Sequence, residues 1–432
     1  MDTELTANNT PLDAETIAAL PTEQEHNGIP GWRTTLYIVW FAQLLAILGF
    51  SFVIPFVPFY IRSLGVTDPK ALRVWSGLID SSSGLMMALT APLWGCVADR
   101  YGRKLMVTRA MLGGAVLVGA MGLVSNVRQL MTLRVLQGAV TGTVSASIAM
   151  VSSVVPKEEL GFSLGLMQMA VFVGGSFGPL LGGKVAESMG FRMPFAITGV
   201  LLLIAGILVL FGAKERFVRP VKNDDEPKES LKSFLRLPGI GSLLLVFLLL
   251  NLSGSFVGPI FPLYVELVNG NAKTAASMTG LMMAVTGVTA ALAAVLMGKL
   301  SDRIGRKKVL IACMALAGVI CIPQALVSNV WQLLVLRALS GITAGGMSPS
   351  LNALVATTVP RNRLGRAYGI TVTAAAIGWS VGPALGGWAA SLVGLRIPFA
   401  IMGGLLLTMS VVVWWLFNAQ SNDKPEAASS CA

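Results

Sequence analysis

Asp80 and Arg134 are the residues best placed to do chemistry in this chain, because each is a charge inside an apolar block. The block that holds Arg134 begins near Gln129, which puts the guanidinium about 5 residues, or roughly 8 Å, inside its boundary. For Asp80, Gly84 to Val97 alone is 14 residues, about 21 Å of helix, short of a hydrocarbon core of about 30 Å. The apolar block must therefore start near Trp75, which places Asp80 about a turn and a half deep, similar to Arg134. Charges at that depth are costly and mark a function or a partner. A carboxylate whose surroundings change also changes its proton affinity. An acid facing an arginine in one state and not in another thus suits proton coupling. The plainer alternatives are an Asp80–Ser83 stretch facing outer water and an Arg134 that snorkels to the surface.

Other chemistries find little support. GPLLGGKV (Gly178–Val185) nearly fits a phosphate-binding loop, but Val185 stands where Ser or Thr is needed and no strand precedes it. Cys96, Cys313, Cys321 and Cys431 have no metal-ligand spacing, and the single histidine, His26, lies in a polar tail. No nucleophile triad or nucleotide site is present, so the expectation is a non-enzyme without metal or other cofactor. Arg109, near the start of the third apolar block, is accounted for by snorkelling.

The elements that must carry Asp80 and Arg134 are membrane helices. The chain is 54% hydrophobic and 12% charged, against roughly 25% charged in soluble domains. Twelve apolar blocks of about 20 residues are separated by short connections, each long enough to cross a bilayer. A β-barrel would need short alternating segments. The fold class is an all-α polytopic membrane protein. The expected organisation is a disordered tail (1–33), a six-helix half (34–213), a charged linker (214–240), a second six-helix half (241–417) and a second tail (418–432). The net charge of +11 does not signal nucleic acid. Its basic residues crowd the connections on the side of both termini, including Arg100, Arg103, Lys104 and the linker, which reads as the cytoplasmic side. The acidic tail before the first block is not a signal peptide.

The two halves are copies. GCVADRYGRKL (Gly95–Leu105) recurs as GKLSDRIGRKK (Gly298–Lys308) at an offset of 203, as does SNVRQLMTLRVLQG (Ser125–Gly138) at Ser328–Gly341. After one inserted residue, GFRMPFAITG (Gly190–Gly199) recurs at Gly394–Gly403, and Pro55, Pro58 and Tyr60 match Pro259, Pro262 and Tyr264. With six spans per half, the copies are parallel and related by a pseudo-two-fold axis along the membrane normal, suited to rocking around a central site. The duplicate of Asp80 is Met283, and Ser340 replaces Gln137, so the acid and the glutamine belong to the first half alone.

Over residues 34–417 the chain resembles the major facilitator superfamily. The loop motif G-x-x-x-D-R-x-G-R-K is matched by Gly95, Asp99, Arg100, Gly102, Arg103 and Lys104, and again by Gly298, Asp302, Arg303, Gly305, Arg306 and Lys307. The resemblance implies that Asp99, with Asp302 as its counterpart, latches the halves on the cytoplasmic side. Arg134, Gln137 and Gly138 are similar to the family's R-x-x-Q-G motif, associated with proton transfer. GGSFGPLLGG and GWSVGPALGG resemble the drug:proton antiporter motif G-x-x-x-G-P-x-x-G-G at Gly174, Gly178, Pro179, Gly182 and Gly183, and at Gly378, Gly382, Pro383, Gly386 and Gly387. These are expected to form a pair of bent helices where the halves slide. The expectation is therefore proton-coupled export of drugs or other amphipathic molecules from the inner membrane, by a monomer with both termini cytoplasmic. Gln43 and Gln168, with Phe52, Phe56, Met167 and Met169, are expected to line the substrate cavity. A carrier of a polar metabolite such as a sugar, and a membrane sensor or lipid-handling protein, are the alternatives.

Overall fold

A computed structural model describes residues 30–215, 217, 240–359 and 364–422. Most of the expected tails and linker lies outside the described residues. In the first half, α1 (Trp32–Val53), a 3₁₀ turn (Ile54–Phe56) and α2 (Val57–Ser63) form one span. Then come α3 (Pro69–Tyr101), α4 (Arg103–Met121), the pair α5 (Val127–Val140) and α6 (Thr143–Val154), α7 (Leu160–Met189) and α8 (Met193–Gly212). The second half repeats the order with α9 (Ile240–Phe256), a turn at Gly258–Ile260, α10 (Phe261–Asn269), α11 (Ala275–Ile304), α12 (Arg306–Gln324), α13 (Val330–Thr358), α14 (Leu364–Val393) and α15 (Ile397–Asn422). That makes twelve spans among the described residues. Eleven are apolar and long enough to cross a membrane by composition. The twelfth is α3, whose 33 residues include Asp80 and three consecutive serines. It is diluted by the same residues that give it chemistry.

The repeated sequence motifs are repeated contacts. Asn126 caps α5 by accepting from the Gln129 N–H (2.9 Å), while the Gln129 side chain accepts from the Ser125 N–H (2.9 Å). Asn329 and Gln332 do the same at α13, accepting from the Trp331 and Ser328 N–H groups. This reciprocal cap satisfies donors that a helix start leaves free. Tyr60 donates to the Met121 carbonyl at the end of α4 (2.7 Å), and Tyr264 donates to the Gln324 carbonyl at the end of α12. The ring of Phe195 packs 4.8 Å from Tyr60, and that of Phe399 packs 4.5 Å from Tyr264. These clusters pin one end of each half.

Within each half the first span packs on the fifth and sixth, and the second span on the fourth. The halves meet along two crossings, α3 with α14 and α7 with α11. Both crossings depend on missing side chains. A methyl added at Gly77 of α3 would lie 3.2 Å from the Gly387 Cα, and one at Gly280 of α11 would lie 3.1 Å from the Leu180 Cα. Farther along the same four helices, added methyls at Gly95, Gly165, Gly298 and Gly369 would meet nothing within 4 Å. The four helices therefore converge at one end and diverge at the other. The divergent end carries the turns at Gly102 and Gly305.

Candidate functional site

Asp80 and Arg134 lie on two helices packed against each other. Gly138 lets α5 approach α3 so closely that an added methyl would lie 2.9 Å from the Ser83 Cα. The two helices run in the same direction. Arg134, one turn before Gly138, thus falls beside Asp80, one turn before Ser83. Their charges attract, but among the described residues no ion pair joins them. Arg134 Nη1 reaches Gln137 Oε1 at a long 3.4 Å, and its Nε is buried without a partner. Both side chains keep partial exposure deep in the protein. Gly138 sets the approach of the two helices, and Gln137 accepts from one nitrogen of Arg134.

The second half repeats the packing and not the chemistry. Gly341 lies against the Thr286 backbone as Gly138 lies against Ser83. Yet Arg337, with Met283 in place of an acid, sets its guanidinium 3.8 Å from the centre of the Phe261 ring. An aromatic face offsets part of the cost of a buried cation without taking part in proton exchange.

Arg109 departs from expectation. It does not snorkel. Its guanidinium lies 3.5 Å from the centre of the Trp94 ring, and Nε and Nη1 are buried with no partner. The short α4 holds it about 9 Å from the helix start, and Trp94 of α3 offers the nearest compensation.

Three cavity assignments need correcting. Gln43 is fully buried with neither amide atom bonded, Phe52 is buried at the end of α1, and Phe56 is enclosed by Phe191 and Phe195. Each is used in helix packing near the sealed end or within the first half. Met167 is buried as well, whereas Gln168 and Met169 are exposed.

The antiporter motif divides its labour between two faces. Gly174, Gly178 and Gly182 face α1: added methyls would meet Leu48 N at 2.8 Å, Leu48 O at 2.7 Å and the Phe52 Cα at 2.6 Å. Gly378, Gly382 and Gly386 face α9 in the same way, at Leu252 and Phe256. Those contacts lie inside one half. Pro179 and Gly183 instead meet Gly280 and Ser277 of the other half, as Pro383 and Gly387 meet Gly77. Ala384 N–H donates across this crossing to Ser81 Oγ at 2.8 Å. The expected sliding surface is the proline–glycine face alone.

At the convergent end Arg62 donates two hydrogen bonds to the Glu266 carboxylate, at 2.8 and 2.7 Å. Arg62 and Glu266 are duplicate positions, 204 apart, so the pair straddles the pseudo-two-fold axis. Arg73 adds a bond to the Ala390 carbonyl at 2.9 Å. Sequence reading missed this closure, because neither charge stands in a recognisable motif. Being partly exposed, the pair is worth about 1 kcal/mol or less. Arg62→Glu, which sets like charges opposite each other, is expected to open this end, as read by spin-label distances across it. Adding Glu266→Arg should restore closure; persistent closure in the single variant refutes the role.

At the divergent end Asp99 is exposed and has no bond to a described residue, and the side chain of Asp302 lies outside the described residues. Among the described residues Asp99 therefore makes no latch contact. Gly102 turns the chain at φ 95°, a left-handed conformation suited to glycine. Glu215, just after α8, accepts from the Arg103 and Lys104 N–H groups at 2.8 Å each. An anion there matches the positive end of α4. Arg103 also donates to the Ala149 carbonyl at 3.1 Å. Glu215 is 112 residues from Arg103, and only its position at the exit of a span hints at the contact.

Known proteins resemble this chain in sequence and in fold. A family model described as the Major Facilitator Superfamily matches residues 39–276 and 243–430. Multidrug resistance protein MdtG of Citrobacter koseri is 35% identical over 385 residues, 89% of this chain and 95% of that protein. MdtG of Serratia proteamaculans is 33% identical, covering 89% and 94%. Among solved structures, a bacterial homologue of the human lysosomal transporter Spinster, inward-facing and occupied, aligns with TM-score 0.74 at 15% identity over 90% of this chain and 98% of that one. The human organic anion transporter MFSD10 aligns with TM-score 0.64 at 18% identity, over 89% and 100%. Matched along nearly its whole length by family, relatives and fold, the chain belongs to the Major Facilitator Superfamily.

Proposed function

We propose that this protein is a proton-coupled exporter of drugs or other amphipathic small molecules, acting by alternating access. The observation that carries the coupling is Asp80 set beside Arg134 in one half, with Met283 and a ring-stacked Arg337 in the other. The likeness to multidrug resistance proteins over most of the chain supports drug-like substrates and export.

In this reading the divergent end faces the cytoplasm, together with both termini, and the structure is the inward-open state of a monomer in the inner membrane. Substrate enters between the splayed ends of α3, α7, α11 and α14. A proton arriving at Asp80 weakens its attraction to Arg134 and alters the balance between the two states. In the outward-open state Asp99 and its counterpart Asp302 close the cytoplasmic side, while Arg62 and Glu266 separate. The proton is the only coupling species needed, and no cofactor enters the cycle.

The test is accumulation of a lipophilic cationic dye, ethidium, in cells expressing the protein. Export lowers accumulation, and a protonophore restores it. Accumulation that rises with expression would favour import, and unchanged accumulation across a panel of drugs and dyes would favour a sensor or lipid-handling role.

A further inference from the structure

The fourth span is interrupted in one half only. α5 ends at Val140 and α6 restarts at Thr143, with Gly142 between them at φ 134°. In the second half the matching residues, Ile342 to Gly345, lie inside the unbroken α13. A break in a membrane helix frees backbone groups that lipid cannot satisfy, so protein must do it.

One freed carbonyl is that of Ala139, and it accepts a hydrogen bond from the indole N–H of Trp94 at 2.6 Å. The same indole carries the Arg109 guanidinium on its face, 3.5 Å from the ring centre. Residues of α3, α4 and α5 therefore meet in one stack: Arg109 on Trp94, and Trp94 on the broken end of α5. Gly113 of α4 also leaves room for Val140, whose Cγ1 would collide with an added methyl. The second half has none of these parts. Trp94 corresponds to Met297, which packs against Gly346 of the continuous helix, and Arg109 corresponds to Ala312. The half with the break and the stack is also the half with Asp80 and Gln137. Arg134 sits five residues before Ala139 on the segment that the stack holds.

We propose that Trp94 and Arg109 are positioning residues: they prop the break in the fourth span and so fix the segment that presents Arg134 to Asp80. The purpose assigned to the prop rests on the proton-coupling reading; its geometry does not. Closed, the break holds α5 in register with α3. When α3 moves with the opening of the opposite end, Trp94 moves with it, and α5 can shift as a short unit. In the second half the matching stretch has no such gap, and only Pro349 takes one donor out of α13 there.

Hydrogen–deuterium exchange on the full chain in lipid nanodiscs tests this. Trp94→Phe keeps the ring and loses the N–H, and Arg109→Ala loses the cation. Each is expected to speed exchange over 139–146 about fivefold, the worth of one hydrogen bond or cation–ring contact. The matched segment 342–349 should not change, and Arg109→Lys, which keeps a cation over the ring, should stay near the parent. Unchanged exchange over 139–146 in both variants overturns the prop. Equal acceleration in both halves also overturns it, since that is general loosening. Separately, retained gradient-driven transport in Asp80→Asn would remove the proton-coupling reading and leave the exchange result standing on its own.

Discussion

Asp80→Asn is expected to abolish concentrative transport while leaving substrate exchange in place. Asparagine has nearly the shape of the protonated acid and cannot release a proton. The variant should still bind substrate and pass between states, so counterflow of labelled substrate in proteoliposomes should persist. Accumulation should not. One proton moving across 100 mV supplies about 2.3 kcal/mol, enough for roughly a fiftyfold concentration ratio at 1.36 kcal/mol per decade. That ratio should fall to about one. Asp80→Glu, which can reach Arg134 from a longer stem, should retain part of it. Gradient-driven accumulation at the parent level in Asp80→Asn would sink the mechanism, and loss of counterflow as well would assign Asp80 a structural role. Met283→Asp offers a complementary check. An acid placed beside Arg337 copies the charge pair, but without Gln137 or the broken helix.

The second large effect concerns the crossings. Gly280→Val puts a branched side chain against the Pro179 carbonyl and 3.1 Å or less from the Leu180 Cα. Backbone cannot yield as a flexible side chain does, so the overlap is relieved by separating the halves. Overpacking costs about 1–3 kcal/mol, which shifts a two-state balance roughly 5- to 150-fold. Because the strain exists only where the ends converge, the variant should favour the state in which they part. Thiol labelling of Ser277→Cys from the convergent side should rise accordingly. Gly178→Val makes the contrast. Its collision is with Leu48 and Ser51 of the same half, so both states suffer alike. It should lower thermal stability and activity together, without changing the labelling of Ser277→Cys. If both variants shift the labelling equally, the division of the motif between two faces is wrong.

That division shows how far the sequence could be read. The twelve spans, the duplication and the similar depth of Asp80 and Arg134 were legible, because span length and helix rise fix depth. Direction around a helix was harder. Gly182 and Gly183 are adjacent in sequence but about 100° apart around α7, so one packs inside its half and the other across the interface. The spacing of glycines by four defines the first face and is silent on the second. Gln43, Phe52 and Phe56 failed for the same reason: polarity and size say nothing about whether a face meets the cavity or another helix. Arg109 misled because a cation near a helix end has an easy route to water. Trp94, from a different span, supplied the alternative.

The closure by Arg62 and Glu266 has one more consequence, for how such a protein can arise and be rebuilt. These are the same position in the two copies. In an assembly of two identical first halves, arginine would face arginine across the axis; in two identical second halves, glutamate would face glutamate. Either repels where the native protein attracts. The closure therefore works only after the copies have diverged, and it makes each half a mate for the other and a poor mate for itself. When the halves are expressed as separate chains, opposite charge at one shared position favours the mixed pair over either like pair, and a single-residue exchange at both positions should preserve that preference while reversing which half carries which sign.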